Sequence, residues 1–201
     1  MKNKSILIVG NGPSVLEHQL GEEINKFQTI GRINNYVTVD YDQYVGNKTS
    51  IWFNGGNQNL TIPKELAKKI IVFVPYEIIN NNFNKIVKRT SYRLGLNQNE
   101  YILTKKEKMK HYEFISNVKR PTTGLNSILW ALENYKEVII HGFDFFQNSK
   151  EHYYDSYIYK KIINLKILKK GEKHDHLAEK LFVEQLIANK KIFQLSDYIK
   201  K

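Results

Sequence analysis

Short apolar runs of four or five residues, rich in β-branched side chains, constrain the fold of this chain more than any other feature of its sequence. Their hydrophobicity is nearly continuous, which is typical of strands buried on both faces of a parallel sheet. Stretches compatible with helices separate the runs, and this alternation indicates an α/β domain with a mostly parallel sheet. The predicted strands are residues 5–9, 29–33, 50–53, 70–74, 138–141 and 191–194.

Residues 123–135 and 177–189 have the clearest helical patterns. In the first, Thr122 or Thr123 can serve as the N-cap. Four apolar residues of this stretch recur on one helical face: Leu125, Ile128, Leu129 and Leu132.

The length of 201 residues fits one Rossmann-like domain, residues 1–201, in which helices flank the central sheet. Residues 80–117 and 147–173 are polar, Lys-rich and weakly periodic. Both segments are therefore predicted to be excursions from the core, and the second is a candidate lid.

Charge and cysteine content narrow the classes of function. The chain has 31 Lys and Arg against 20 Asp and Glu, a formal net charge of +11, and no cysteine. The positive charge suits nucleic acid, an anionic membrane surface, a nucleotide-sugar or an acidic glycan, and it is equally compatible with solvated lysines that bind nothing. The lack of cysteine excludes disulfides, thiolate zinc sites and cysteine nucleophiles.

The first apolar run is too short for a signal peptide or a membrane anchor, so it is predicted to be a strand. We therefore expect the protein in the cytoplasm, where its basic charge suits the inner face of a membrane.

Gly10-Asn11-Gly12-Pro13-Ser14 directly follows the first predicted strand. Loops at the carboxyl ends of parallel strands form the ligand-binding edge of open α/β sheets. Gly12 lets the backbone approach a ligand, and Asn11 and Ser14 offer hydrogen bonds. The pattern lacks the third glycine of a dinucleotide fingerprint and the Lys-Ser/Thr of a Walker loop. It predicts either a contact with a nucleotide or a purely structural turn.

Asn34 follows the second predicted strand and is expected at the same edge, where an amide can donate and accept at once. Thr122, Thr123 and Gly124 begin the predicted helix 123–135. Free backbone N–H groups at such a helix start make an anion site. The structural alternatives are a solvated turn at Asn34 and an ordinary threonine N-cap.

Histidines supply the candidate acid–base groups. His152, followed by Tyr153 and Tyr154, lies after the fifth predicted strand, and His174 precedes Glu179 by five positions. A histidine with a pKa near neutrality can take the proton of an attacking hydroxyl, and a nearby carboxylate can orient the ring. A lone histidine is also compatible with a structural role.

Taken together and in order, these motifs resemble the sialyl motifs of animal sialyltransferases. Residues 6–53 resemble the large motif. The matching positions are Gly10-Asn11, Gly21, Ile24, Phe27, Arg32-Ile33-Asn34 and Gly46-Asn47-Lys48-Thr49. Residues 120–146 resemble the small motif, and His152-Tyr153-Tyr154-Asp155 matches the third motif. His174 with Glu179 matches the very small motif. Bacterial sialyltransferases of the lipo-oligosaccharide type look similar too, sharing GNGPS and the G-x-D-F-x-Q-N stretch at 142–148.

The resemblance implies a GT-A-like variant of the fold and an inverting sialyltransferase that uses CMP-sialic acid, with no metal or other cofactor. Asn11 and Asn34 would hold the CMP part of the donor, with Gly12 and Ser14 in the same donor-binding turn. The acceptor would be a glycan or glycolipid hydroxyl, of galactose type on a lipo-oligosaccharide or capsule-like molecule, and no nucleic acid is expected.

The resemblance also assigns roles around the departing phosphate. Thr123 and the Gly124 amide, beside Thr122, would contact the phosphate or the sialic acid carboxylate. His174 would be the general base for the acceptor hydroxyl. His152 and one of the following residues, Tyr153 or Tyr154, would stabilise the departing phosphate.

Several alternatives stay open. His176 competes with His174 as the base, and Phe146 stands where some bacterial members have a tyrosine. Asp40-Tyr41-Asp42 would suit a metal-dependent nucleotide-sugar transferase. The charge and the 13 tyrosines would suit a non-catalytic nucleotide- or RNA-binding module.

Overall fold

The computed structural model describes residues 3–144, 152–154 and 175–200. The strands are β1 (Asn3–Val9), β2 (Ile30–Ile33), β3 (Ile51–Asn54), β4 (Lys69–Val72), β5 (Ile102–Leu103), β6 (Tyr135–His141) and β7 (Phe193–Gln194). A 3-10 helix spans Pro13–Leu16. The α-helices are α1 (Gly21–Asn25), α2 (Asp42–Val45), α3 (Tyr76–Asn81), α4 (Phe83–Leu94), α5 (Lys106–Ser116), α6 (Thr123–Asn134), α7 (His176–Ala188) and α8 (Leu195–Tyr198).

The strands form one sheet in the order β5-β4-β3-β2-β1-β6-β7, and all the neighbouring pairs are parallel. Every residue of β2 and β3 is buried, as expected for strands covered on both faces. The predicted parallel α/β sheet is therefore confirmed. Because all the strands run the same way, the loops that follow β1, β2, β3 and β6 meet at one edge, here called the carboxyl edge.

Helices cover both faces of the sheet. Met109 and Tyr112 of α5, Ile128 of α6 and Val183 of α7 belong to one core cluster. The other face is packed with residues of the 3-10 helix, α1, α2 and α8: Val15, Ile24, Val45 and Leu195. No helix in the described ranges is both long and apolar enough to cross a bilayer.

The prediction that residues 80–117 leave the core was wrong. This segment contains α4, β5 and α5, and Met109 and Tyr112 are fully buried. Its polar composition reflects helices that expose one charged face while the opposite face packs against the sheet. Of the candidate lid at 147–173, only residues 152–154 lie within the described residues.

Candidate active site

Three asparagines lie where neighbouring strands reach the carboxyl edge. Asn11 follows β1, Asn34 follows β2, and Asn54 is the last residue of β3. Because β1, β2 and β3 are adjacent in the sheet, the three amides form a polar row along this edge. The predicted placement of Asn11 and Asn34 on one edge agrees with this arrangement.

Asn11 ties the first two loops together. Its Nδ2 donates to Ile33 O at 2.9 Å and to Asn35 O at 2.8 Å, which uses both amide hydrogens. The acceptor Oδ1 makes no hydrogen bond within the described part of the chain. Asn11 therefore presents an acceptor to a ligand.

Asn34 has the opposite polarity. It adopts a left-handed backbone with φ 49°, a conformation that asparagine tolerates better than most residues. Its Oδ1 accepts from Gly55 N at 3.1 Å, and its backbone carbonyl accepts from the Trp52 indole at 2.7 Å. Nδ2 has no partner among the described residues, so Asn34 presents a donor.

Asn54 was missed by the sequence analysis. It is fully buried, and its Oδ1 accepts from Gly56 N at 3.0 Å. Its Nδ2 is buried with no hydrogen-bond partner among the described residues. A buried donor without an acceptor is costly, so this position is unusual in a folded chain. The signal was present in the sequence, since Asn54 precedes two glycines at the end of an apolar run, as Asn11 precedes Gly12.

The turn after β1 packs directly on the loop after β6. Gly10 N donates to His141 O at 2.7 Å and Gly12 N to Gly142 O at 3.0 Å. A Cβ at Gly10 would overlap the Gly142 carbonyl, and a Cβ at Gly12 would overlap the Asp144 carboxyl group. These glycines therefore allow the two loops to touch through their main chains.

Ser14 is held by the same loop. Its backbone N–H donates to Asp144 Oδ2 at 2.9 Å, and its hydroxyl donates to Asp144 Oδ1. Asp144 therefore fixes the start of the 3-10 helix, and Ser14 reaches a ligand only through the remaining lone pairs of its hydroxyl.

Helix α6 begins at this edge with a buried carboxyl group against it. Thr122 is the N-cap, and its hydroxyl accepts from Leu125 N at 3.2 Å. Thr122 N and Oγ1 donate to Glu179 of α7 at 2.6 and 2.8 Å. Burial raises the pKa of Glu179 to about 7, although the hydrogen bonds from Thr122 oppose the shift. Thr122 therefore joins α6 to α7, and its predicted contact with the donor stays a prediction.

The backbone N–H groups of Thr123 and Gly124 start α6 and have no partner within the helix. Gly55, after β3, lies beside Thr123 Oγ1, and Gly124 lies beside the ring of Phe143. The start of α6 is thus next to the loops that follow β3 and β6, as an anion site at this edge requires.

The His152–Tyr154 segment packs against the loops that follow β1 and β2 at the carboxyl edge. Tyr153 N donates to Asn11 O at 3.1 Å, and its hydroxyl donates to Val37 O. The Tyr154 hydroxyl donates to Asn35 O at 2.8 Å. Each phenol has one hydrogen to donate, and both are directed at backbone carbonyls in this structure. His152 is half-buried and stacks on Tyr154 with ring centroids 5.3 Å apart.

The remaining predicted residues are distributed as follows. His174, Asp155 and Phe146 lie outside the described residues. His176 is the first residue of α7, and Asp175 caps that helix by accepting from Ala178 N at 2.9 Å. Arg120, next to the start of α6, forms an ion pair with Glu77.

Arg32 joins separate parts of the large motif. It is 1% exposed, and its Nε donates to Lys48 O and Thr49 Oγ1, both at 3.1 Å. Its Nη2 donates to Val45 O and Gly46 O at 2.8 and 2.9 Å. Burial lowers the pKa of Arg32. The Arg-x-Asn and Gly-x-Lys-Thr sequences are therefore one structural unit.

His141 is a second residue that the sequence analysis did not single out. It ends β6, and its Nε2 is buried with no hydrogen-bond partner in the described ranges. Burial lowers its pKa to about 4, with Asp144 opposing the shift and His18 adding to it. The imidazole is therefore neutral near pH 7.

Asp40 and Asp42 were the alternative cation ligands. Both are exposed, Asp40 with φ 66° in a turn and Asp42 at the start of α2. Among the residues that the structure describes, no group of three or more His, Cys, Asp and Glu side chains could hold a metal ion.

Comparison with known proteins agrees with the resemblance that the sequence motifs indicate. A model of glycosyltransferase family 29 (sialyltransferase) matches residues 2–69 and 59–191. The chain is 24% identical over 222 residues to the type 2 lactosamine alpha-2,3-sialyltransferase of Homo sapiens, covering 96% of this chain and 65% of that protein. It is 28% identical over 165 residues to CMP-N-acetylneuraminate-beta-galactosamide-alpha-2,3-sialyltransferase 1 of Gallus gallus, covering 73% and 45%. The chain thus spans about 65% of the length of the human relative.

Two solved structures share the fold. A mammalian sialyltransferase in complex with Gal-beta-1-3GalNAc-ortho-nitrophenol superposes with a TM-score of 0.68 at 18% identity, covering 96% of this chain and 69% of that one. The monofunctional alpha-2,3-sialyltransferase Cst-I of Campylobacter jejuni gives 0.62 at 19% identity, covering 96% and 76%. The predicted resemblance and the predicted fold are confirmed.

Proposed function

Because the chain belongs to glycosyltransferase family 29, the sialyltransferases, we propose that it transfers sialic acid from CMP-sialic acid to a glycan hydroxyl. The observation that carries the proposal is the meeting of three asparagines with the start of α6 at one edge of the sheet. This edge offers amide donors and acceptors for a nucleoside beside an anion site for its phosphate.

The three asparagine side chains differ in the hydrogen-bonding group that they leave unpaired. Asn11 offers an acceptor and Asn34 offers an N–H donor, whereas the unpaired Nδ2 of Asn54 is buried beneath the surface in this structure. Cytosine and ribose carry both donors and acceptors, so a mixed row of this kind can bind them. The backbone N–H groups of Thr123 and Gly124 suit the phosphate because the helix dipole stabilises negative charge there.

The reaction is a displacement at the anomeric carbon. The bond from that carbon to the CMP phosphate oxygen breaks, and its electron pair stays on the phosphate. The acceptor oxygen forms the new bond from the opposite face, and its proton passes to a general base. We assign the base to His174, from its match to the very small motif, and assign stabilisation of the phosphate to His152 and the start of α6.

The acceptor is proposed from the relatives. The names of the human and chicken relatives specify lactosamine and beta-galactosamide acceptors. A galactose-type hydroxyl on a lipo-oligosaccharide or capsule-like molecule is therefore the proposed acceptor. Such a glycolipid is accessible to a protein at the cytoplasmic face of a membrane, which is the location we propose.

Donor recognition can be tested with a variant that keeps the local structure. Asn34→Asp retains the oxygen that accepts from Gly55 N but replaces the free amide donor with a second carboxylate oxygen. We expect the KM for CMP-sialic acid to rise at least tenfold, the effect of about 1.4 kcal/mol, because a donor is lost and a negative charge is added. CMP release with and without a galactose-ended acceptor measures this.

Asn99→Asp is the matched control, since Asn99 is exposed and the charge change is the same. Equal KM values for N34D and wild type would contradict the assignment of Asn34. Absence of CMP release from every CMP-sugar in a panel would contradict the proposed function.

The general base can be tested by comparing His174→Ala with His176→Ala. We expect H174A to lose on the order of 10²–10⁴ in kcat while CMP binding persists, because one proton-transfer group is removed. H176A serves as the control and should stay near the wild-type rate. The reverse pattern would assign the base to His176.

Metal use is tested separately by assay after exhaustive chelation. We expect the rate to be unchanged, since a monophosphate leaving group needs less charge neutralisation than a diphosphate. Loss of activity that Mg²⁺ or Mn²⁺ restores, and that Asp40→Asn or Asp42→Asn abolishes, would support the metal-dependent alternative.

A further inference from the structure

A surface away from the three asparagines combines exposed aromatic rings with lysines. Phe114 is 82% exposed and Phe83 is 50% exposed, which is unusual for side chains of this size. Exposed lysines surround them. We call this surface the basic–aromatic strip and define it by six residues: Phe83, Lys105, Lys106, Lys110, Phe114 and Lys119.

The strip extends from Phe83, at the start of α4, along α5 to Lys119. Phe83 lines a shallow recess with Ile79, Lys105 and Lys106. Lys110 and Phe114 line a second recess with Lys119. Lys106, Lys110 and Phe114 recur at intervals of four on one face of α5, so the two recesses adjoin.

Contacts with α3 hold two of these lysines at the surface. Lys106 Nζ donates to Asn80 Oδ1 at 3.2 Å, and Lys110 Nζ lies 5.5 Å from the ring centroid of Tyr76. Neither contact neutralises the lysine charge. Two acidic residues lie beside the strip: Glu107 lines the first recess and Glu113 lines the second.

The segment that carries the strip holds much of the charge of the chain. Residues 76–120 contain ten Lys and Arg and four Glu, a net charge of +6 out of +11 for the whole sequence. Less than a quarter of the chain therefore supplies more than half of its net charge. This charge lies at the β4–β5 end of the sheet, where α5 covers one face and α4 the other, so long-range attraction to an anionic surface is strongest at this end.

We propose that the basic–aromatic strip docks the protein on an anionic lipid bilayer. Lysines next to the surface gain attraction to the lipid headgroups, while exposed phenylalanines enter the boundary between the headgroups and the acyl chains.

Docking through the strip would bring acceptor glycans on the membrane close to the site, and this consequence rests on the proposed function. Helices α3 and α5 follow β4 and β5, so both begin at the carboxyl edge. A bilayer against the strip would therefore lie beside the mouth of the site and present membrane-borne acceptor glycans to it. Binding itself does not depend on the transferase activity.

The test is co-sedimentation of the full chain with vesicles of phosphatidylcholine alone or mixed with phosphatidylglycerol, without any sugar donor. We expect binding to the mixed vesicles only. The variant Lys106→Gln/Lys110→Gln/Lys119→Gln should bind on the order of 100-fold more weakly, about fivefold for each lysine at the surface. Phe114→Ser should weaken binding roughly tenfold through lost apolar insertion.

Lys4→Gln/Lys26→Gln/Lys191→Gln is the matched control, because it removes the same charge from exposed lysines on other elements. Equal losses in both triple variants, or equal binding to vesicles without phosphatidylglycerol, would overturn the proposal. Self-association of the wild type that the strip variant abolishes, or oligoribonucleotide binding in place of vesicle binding, would also overturn it. Activity on a soluble acceptor should be unchanged in the strip variant, which separates this proposal from the transferase proposal.

Discussion

The buried carboxyl group of Glu179 should make stability depend on pH. Its pKa is about 7 in the folded chain against an ordinary value of 4.5, so the folded state binds more protons between these values. The contribution of Glu179 to the free energy of unfolding is therefore full below about pH 4.5 and is lost as the pH rises through 7.

Glu179→Gln removes this titration but keeps an acceptor and a donor facing Thr122. We expect E179Q to gain about 3 kcal/mol relative to the wild type between about pH 4 and about pH 8. Urea denaturation at both pH values measures the gain. A difference that stays constant with pH would show that folding does not change the pKa of Glu179.

His141 should act in the opposite direction. Its pKa falls to about 4 from an ordinary value of 6.5, so between these values the folded state binds fewer protons than the unfolded state. The free energy of unfolding therefore falls as the pH drops through this window. We expect the wild type to lose about 3 kcal/mol relative to His141→Gln between about pH 7 and about pH 4, with the exposed His111→Gln as the control.

At the scale of elements, the contact between the β1 and β6 loops should tolerate substitution less than any other feature of the carboxyl edge. Gly142 has φ 72°, and a Cβ there would overlap Val15 Cγ1. Gly95, which ends α4, has a similar φ of 63° but nothing within 4 Å of an added Cβ. The two glycines therefore share backbone strain and differ in the space around them.

We expect Gly95→Ala to cost about 1 kcal/mol from strain alone. Gly142→Ala should cost at least about 3 kcal/mol, because overpacking adds to the strain. Chemical denaturation of both variants measures the difference. Equal costs would mean that the β6 loop moves away without penalty.

The long buried strands and α6 could be predicted from the sequence because their patterns are local. A run such as residues 5–9 is continuous and β-branched, and Thr122 marks the start of α6 as an N-cap. Strand β5 could not be predicted, because two residues carry no periodicity and pair only when β4 is already in place. Helices α4 and α5 are mostly polar, so their buried faces were hard to recognise.

At the scale of the whole molecule, ligand binding should stabilise the fold, since the carboxyl edge is assembled from distant parts of the chain. A ligand that binds only the folded state at a hundred times its Kd adds about 2.7 kcal/mol. We expect CMP to raise the Tm and cytidine to raise it less, because cytidine lacks the phosphate for the start of α6. Equal shifts would contradict the placement of the phosphate at α6.

The candidate site was predictable as a set of positions but not as a set of bonds. Strand order alone brings Asn11 and Asn34 together, and the resemblance pointed to Thr123 and Gly124. Which atom of each amide stays available depends on tertiary contacts such as Asn34 Oδ1 with Gly55 N. Nothing in the local pattern reveals such a contact, although the position of Asn54 before two glycines was visible in the sequence.

Three side chains bind the loop that follows β2, and their hydrogen bonds share one property. Asn11, Tyr153 and Tyr154 donate their side-chain hydrogens to main-chain carbonyls, those of residues 33, 35 and 37. Every amino acid supplies the same carbonyl, so replacement of the accepting residues leaves these bonds intact. The shape of the edge can therefore persist through extensive sequence divergence, provided that the few donating side chains are retained.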